Sequence, residues 1–334
     1  MKKCPTCGES YEKDITLCPS DGTALLKMGD ALVGQTLAGK YRIEERIGEG
    51  GMSAVYRAIH VLVGKKFAVK VLHPSLAADE KIVARFTREA RTASLVSHRN
   101  AVDVTDFGED GNGVVFMVMQ YVDGPTLKQM IRQDGPLPLA LAVDITRQIA
   151  GALDAAHANG VIHRDLKSEN VMLEHERSSD DWVKVMDFGI AKIQLPDTED
   201  PELTAPNLII GTPQYMSPEQ CSKASGIDYR SDIYSLGVIV YEMLAGRVPF
   251  TGESATAIMV KHLQQPPPSV LESRPDLPPA AAQVVARALS KQPEGRQQRA
   301  GELAEELALA AGGSAAAENS PGDSIRIAAP LSSF

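Results

Sequence analysis

The stretch His163-Arg164-Asp165-Leu166-Lys167-Ser168-Glu169-Asn170 (HRDLKSEN, residues 163–170) decides how the rest of the chain is read. It follows the apolar pair Val161-Ile162 and crowds polar groups together with neither helical nor strand periodicity. Asp165 can accept a proton from a hydroxyl. Lys167 can neutralise developing negative charge, and Asn170 offers a carbonyl oxygen to a hard cation. Further on, VMDFG (185–189) sets Asp187 at the end of an apolar strand, with Gly189 to turn the chain. Asp187 and Asn170 together form an oxygen donor set suited to Mg2+. A merely solvated charged loop explains the first stretch poorly once the second is seen.

Upstream, IGEGGMSAVY (47–56) places Gly48 and Gly50 between two strand-like runs, where the backbone can turn tightly and approach a phosphate. Ser53 stands where a third glycine would complete G-x-G-x-x-G, so the motif alone is also read as a plain turn. FAVK (67–70) ends a strand on Lys70. A surface lysine snorkelling from an apolar strand is the ordinary explanation. Glu89, on the helix-periodic stretch ADEKIVARFTREARTASLV (78–96), offers it a partner instead. There Ile82, Phe86, Ala90 and Ala93 recur at helical spacing, and Asp79 can cap the start.

The same periodicities organise the chain. YRIEERIG, AVYRAIH, KKFAVKVL and VVFMVMQYV read as strands. After GPTLKQMIRQDG the pattern becomes helical. Ile145, Ile149, Ala152 and Ala156 line one face of a helix ending at Asn159-Gly160. SDIYSLGVIVYEMLAG (231–246) is apolar on nearly every side, as a helix buried in a helical lobe would be. A small β-rich lobe followed by a larger α-rich lobe implies a cleft between them.

On these motifs, in this order and spacing, residues 41–309 resemble a protein kinase of the eukaryotic type, serine/threonine class, like those of bacteria. The resemblance implies an α+β bilobal fold, with an N-lobe over about 41–122 and a C-lobe over about 123–309. It implies transfer of the γ-phosphoryl group of Mg-ATP, Mn2+ being a possible substitute, to Ser or Thr hydroxyls of protein substrates. By resemblance, Ile47, Gly48, Glu49, Gly50, Gly51, Met52, Ser53 and Val55 cover the nucleotide. Lys70 holds the α- and β-phosphates and pairs with Glu89. Asp165 orients the acceptor hydroxyl beside Lys167, and Asn170 and Asp187 bind metal. Val55, Ala68 and Met172 sandwich the adenine, Met119 is the gatekeeper, and the backbone of Gln120 and Val122 bonds the base.

GTPQYMSPEQ (211–220) is similar to the family's peptide-docking segment, with Ser217 in place of Ala. Thr212 together with Lys167 favours Ser/Thr over Tyr as acceptor. Glu219 is expected to pair with Arg296, and Asp232 to anchor the catalytic-loop backbone. Arg164, next to the catalytic Asp165, implies activation by a phosphate on the segment from Asp187 to Glu219. Of Thr198, Thr204 and Thr212 there, Thr204 is the preferred phosphosite. Glu169 alone assigns no basic consensus. A pseudokinase scaffold or an adaptor without turnover is the alternative, and the presence of Lys70, Asp165 and Asp187 weighs against it.

The chain opens with MKKCPTCGESYEKDITLCPSDGTALL, whose CPTCG and CPSDG turns are similar to the two knuckles of a bacterial zinc ribbon. Cys4, Cys7, Cys18 and Asp21 are the expected Zn2+ ligands of a module over 1–26. About 25 residues with so few apolar side chains lack a core of their own, so metal would supply the stability. A degenerate ribbon without metal and a redox CxxC are the other readings, the latter lacking a surrounding βαβ pattern. Residues 27–40 read as a linker and 310–334, rich in Gly, Ser and Ala, as a disordered tail.

Composition sets the outer bounds. The chain has 334 residues, 43% of them hydrophobic, and a formal net charge of −9. That charge argues against a nucleic-acid partner and against an anionic membrane surface. There is no signal-peptide pattern, and no apolar run reaches the roughly 18 residues of a membrane span. Three of four cysteines cluster at one end, which suits a reducing compartment, hence a cytoplasmic location. No pattern assigns an oligomeric state.

Overall fold

The computed structural model describes residues 32–174, 182–188, 212–222, 224 and 226–317, with 2–4, 6–7, 9–11, 15, 17–23 and 26–27 of the N-terminal segment. There, strands β1 (Lys2–Lys3), β2 (Ser10–Tyr11) and β3 (Leu26–Lys27) form a small antiparallel sheet in the order β2-β1-β3. Its buried centre is Cys4 and Cys18 with Tyr11 against them.

A six-stranded sheet follows: β4 (Thr36–Leu37), β5 (Tyr41–Glu49), β6 (Ser53–His60), β7 (Lys66–Leu72), β8 (Val104–Glu109) and β9 (Val115–Gln120). Its order is β4-β5-β6-β7-β9-β8, with every neighbouring pair antiparallel. The side-chain period of two divides it cleanly. Tyr56, Ala58, Val69, Val71, Phe116 and Val118 gather on one side. Ala68, Leu72, Val115, Met117 and Met119 gather on the other, against helix α1 (Glu80–Ala93). Lys70 shares the parity of Ala68 and Leu72, so its side chain is delivered to the α1 face.

Helix α1 forms where its periodicity predicts. Asp79 Oδ1 accepts from the amides of Lys81 at 2.8 Å and Ile82 at 3.3 Å, satisfying two otherwise unpaired donors of the first turn. Its buried stripe is Phe86, Glu89, Ala90 and Ala93, so the one carboxylate among them is carried inward with the apolar groups.

The larger lobe begins with α2 (Leu127–Asp134) and α3 (Leu139–Ala158), then β10 (Val171–Leu173) and β11 (Val183–Val185) as an antiparallel pair. It continues with α4 (Pro218–Cys221), α5 (Arg230–Ala245), α6 (Ala255–Gln264), α7 (Pro279–Ala288) and α8 (Ala300–Ala317). Helix α5 is buried along its length and stops at Gly246, whose φ of 73° is left-handed. Glycine is demanded sterically at Gly124, in the connection between the lobes, where an added Cβ would lie 1.7 Å from the Leu173 carbonyl oxygen. A second connection runs along Asn100–Val102, which pairs with Val185 through two backbone hydrogen bonds of 2.8 and 2.9 Å.

This is the bilobal α+β architecture that the resemblance implied. Three boundaries differ from the sequence reading, the first by a single residue, since Lys27 belongs to β3 through its pairing with Lys2. The stretch expected as a linker contributes Thr36–Leu37 to the edge of the sheet, with Leu37 fully buried, because the Thr36-Leu37 pair continues the antiparallel register through a tight turn at 38–40. The stretch expected as a tail begins inside α8, which runs on to Ala317. Residues 318–334 lie outside the described residues, as do Gly189, Thr198 and Thr204.

Candidate active site

The groups singled out in sequence meet where the lobes face each other. Lys70 Nζ donates to Glu89 Oε1 at 2.6 Å and to Asp187 Oδ1 at 3.3 Å. Burial works against the Lys70 charge, but the Asp187 and Glu89 carboxylates outweigh it and hold the ammonium above the usual lysine value. Burial likewise pushes the Glu89 carboxyl above its usual range, although Lys70 draws it down.

The catalytic-loop stretch is gripped from behind. Asp232, at the start of α5 and 1% exposed, accepts from the amides of His163 and Arg164, both at 2.8 Å, and from His157 Nε2 at 2.8 Å. Arg164 and Asp187 both adopt left-handed backbone, with φ of 63° and 59°. Such conformations cost non-glycine residues about 1–3 kcal/mol and persist where the surroundings over-determine them. Here Asp232 holds the first. The second follows Met186, whose amide donates to the Asn170 carbonyl at 2.9 Å and whose own carbonyl accepts from His163 Nε2 at 2.9 Å. The His163 ring also packs against Phe188 in a tilted contact, with ring centroids 5.0 Å apart.

Within the loop, Lys167 Nζ lies 3.0 Å from Asp165 Oδ2 and 3.3 Å from Thr212 Oγ1. Asn170 donates its side-chain amide to the Asp165 carbonyl at 3.0 Å, so of its two polar side-chain atoms the carbonyl oxygen is the one suited to a cation. Asn170 and Asp187 fit a Mg2+ ion by the chemistry of their donors, one neutral oxygen and one carboxylate.

The apolar residues assigned to the base share one cluster: Ala68, Met119 and Val122 buried, with Val55, Met172 and Met52 packed against them. The Gln120 amide donates to the Asp103 carbonyl at 2.9 Å, so only its carbonyl is left to face a base. Gly48, Gly50 and Gly51 have ordinary negative or extended φ, and a Cβ at Gly51 would meet nothing within 4 Å. The protein's own packing therefore does not require these glycines, and their bareness leaves room for a ligand above them. Ile47 is half-exposed at this edge, Glu49 pairs with Arg46 at 3.2 Å, and Ser53 is buried in β6 opposite Leu72.

Below the loop, the fully buried Arg296 makes a two-pronged pair with Glu219, 2.7 and 2.8 Å. Ser217 caps α4 through a reciprocal capping box with Gln220, whose side chain also donates to the Arg164 carbonyl at 2.8 Å.

One cluster went unread in sequence. Glu242, 1% exposed on α5, accepts from Lys128 Nζ at 2.5 Å and from Tyr215 hydroxyl at 2.7 Å, and that hydroxyl is 2.9 Å from Ser168 Oγ. Its signal was a lone carboxylate in an otherwise apolar helix, which must find a cation or donor when buried.

In the N-terminal segment, the Cys4, Cys7 and Cys18 sulfurs and an Asp21 carboxylate oxygen lie within 4.8 Å of one another. Cys4 and Cys18 are buried, Cys7 and Asp21 exposed. The amides of Thr6 and Cys7 both point at Cys4 Sγ, at 3.4 Å. Three thiols and a carboxylate converging on one point fit a tetrahedral zinc ion in donor type and number.

The family model for the protein kinase domain matches residues 41–307. The serine/threonine-protein kinase pkn3 of Myxococcus xanthus is 46% identical over 269 residues, covering 80% of this chain and 49% of that protein. The serine/threonine-protein kinase PrkC of Bacillus subtilis is 37% identical over 279 residues, covering 84% and 42%. This chain thus spans about half the length of the curated relatives it matches, or somewhat less. The crystal structure of the Mycobacterium tuberculosis PknI kinase domain superposes with a TM-score of 0.63 at 31% identity, covering 83% of this chain and 98% of that one. With the lobes, the lysine–carboxylate contacts and the catalytic loop described above, these matches place the chain in the protein kinase domain family.

Proposed function

We propose that this chain is a serine/threonine protein kinase that moves the γ-phosphoryl group of ATP to Ser or Thr hydroxyls of protein substrates. Protein kinases use ATP and Mg2+. The observation that carries the reading is the convergence of Lys70, Glu89 and Asp187 opposite the Asp165–Lys167–Thr212 group. The base would sit among Val55, Ala68, Met119, Val122 and Met172. Lys70 would hold the phosphates, and its contact with Glu89 keeps the ammonium in place for that task. Asn170 and Asp187 would hold Mg2+, which supplies neutralisation of phosphate charge.

Asp165 would accept the proton of the acceptor hydroxyl as its oxygen bonds to phosphorus and ADP departs. Lys167 would keep the Asp165 carboxylate oriented and offset charge on the group in transfer. Thr212 would fix Lys167. Pre-set positions for all these groups remove reorganisation from the barrier. Purified chain, labelled ATP and a generic basic acceptor protein give the test. Wild type should transfer label, and Asp165→Asn should lower the rate by about 100-fold or more. Undiminished transfer by Asp165→Asn, or a folded chain that takes up no ATP, would remove the reading.

The Arg164 position beside Asp165 supports control by autophosphorylation of the segment from Asp187 to Glu219, with Thr204 the favoured acceptor. Phosphopeptide mapping of Thr204→Ala against wild type checks it, and unchanged turnover would exclude Thr204. The four-donor cluster supports a structural zinc in the module over 1–26, with 41–309 as the catalytic unit. No helix among the described residues is long and apolar enough to cross a membrane. The four cysteines are free thiols, and with three of them assigned to metal this favours a reducing, cytoplasmic setting.

A further inference from the structure

His73 is the first residue after β7, three positions beyond Lys70, and begins the turn that leads to Asp79 and α1. Its ring does not point away from the protein. Nε2 lies 3.0 Å from the Gly50 carbonyl oxygen, and its amide donates to the Met52 carbonyl at 3.0 Å. A carbonyl only accepts, so Nε2 carries the hydrogen. The tip of the glycine loop is thereby held at both ends of its turn by one residue. Gly50 closes the turn on itself by donating to the Ser53 carbonyl at 2.8 Å, and Met52 sinks its side chain into the cluster beneath the sheet.

Glycine-rich turns lose the most conformational freedom on ordering, so a loop containing Gly48, Gly50 and Gly51 needs external ties to stay in one place. The Met52 ties come from backbone and from an apolar side chain that reaches inward. The tie on Gly50, which stands at the exposed tip, is the His73 ring alone among the hydrogen bonds described for that carbonyl.

We propose that His73 is a positioning residue for the phosphate-covering loop, coupling the Gly50 tip to the strand that carries Lys70. The inference rests on the nucleotide-site reading above. It assigns His73 no contact with substrate. Its effect falls on how firmly the loop lies over the phosphates of ATP, and a ligand without phosphates should not sense it. A histidine that merely stabilised the turn would affect both kinds of ligand, or neither.

The test compares MgATP with adenosine by titration calorimetry, alongside steady-state kinetics, on wild type, His73→Ala, His73→Asn and His73→Gln. His73→Ala should weaken MgATP and raise its KM by about 3- to 10-fold, the range expected for one lost hydrogen bond. The kcat should stay within about two-fold and adenosine affinity should not move. Gln places its amide nitrogen near the position of Nε2 and should restore most of the loss, whereas Asn falls short and should behave like Ala. This Asn/Gln pair reads the contact even if Ala lowers stability. Unchanged MgATP affinity in His73→Ala, a parallel loss for adenosine, or a Gln variant as weak as Ala would each overturn the role of His73 while leaving the nucleotide site intact. A folded wild type that binds neither ligand would overturn both.

Discussion

Lys167 Nζ bridges Asp165 Oδ2 and Thr212 Oγ1, at 3.0 and 3.3 Å, across 45 residues of sequence between Lys167 and Thr212. A charge that could otherwise swing into solvent is pinned beside the proposed base by a hydroxyl from the segment expected to dock peptide. Thr212→Ala should therefore lower kcat by about 10-fold with KM for ATP nearly constant, while Thr212→Ser, which keeps the oxygen, should retain most activity. Steady-state assays on the two variants decide it, and equal loss in both would point to packing by the Thr methyl.

Lys70 and Glu89 are buried together, at 11% and 7% side-chain exposure. Lys70→Met should abolish turnover and also destabilise the fold by about 3 kcal/mol, because a carboxylate is left buried without its cation. Adding Glu89→Leu should recover much of that stability and none of the activity. Urea denaturation of wild type, single and double variants measures the coupling; a double variant no more stable than Lys70→Met would exclude it.

His262, fully buried on α6, accepts from the Tyr234 hydroxyl at 2.8 Å and donates Nε2–H to the Gln214 carbonyl at 3.1 Å. That pairing suits the neutral ring. Burial, helped by the Lys291 ammonium, lowers its pKa from 6.5 to about 4. Between those values the unfolded chain binds a proton that the folded chain does not. Stability is thus complete above the unfolded value and declines as pH falls toward about 4, by about 2 kcal/mol at pH ~5. Denaturation at pH ~7 and ~5 should show this loss in wild type and a smaller one in His262→Gln. Identical pH slopes would refute the assignment.

The cysteine cluster gives a prediction in metal content. The purified chain should carry about one zinc, lost in Cys4→Ser. Asp21→Cys should hold the ion more firmly against a chromogenic chelator, since it replaces an exposed carboxylate with a thiolate. Metal-free wild type with an ordered N-terminal segment by NMR would favour a ribbon that keeps its turns without zinc.

Much of the site is legible in the amino-acid sequence. The period of two in FAVKVL assigns Lys70 to the same sheet face as Ala68 and Leu72, and the α1 stripe of Phe86, Glu89 and Ala90 assigns Glu89 to the buried side. Neither needs a partner to be specified, because strand and helix geometry repeat every two and about 3.6 residues. The edges were less legible. Thr36–Leu37 is too short to show a period, and the Ala-rich stretch of α8 has little contrast between faces, so local pattern marks neither as a regular element.

The sequence by itself determined which chemical groups exist and which face of its own element each one occupies, since those follow from local backbone geometry. Only the tertiary structure decided which groups meet. Lys70 reaches Asp187 across 117 residues, Lys128 reaches Glu242 across 114, and His73 bends back to Gly50 across 23. The physical reason is that a contact between distant segments depends on the path of every turn and on the packing between them. Local periodicity is silent on both.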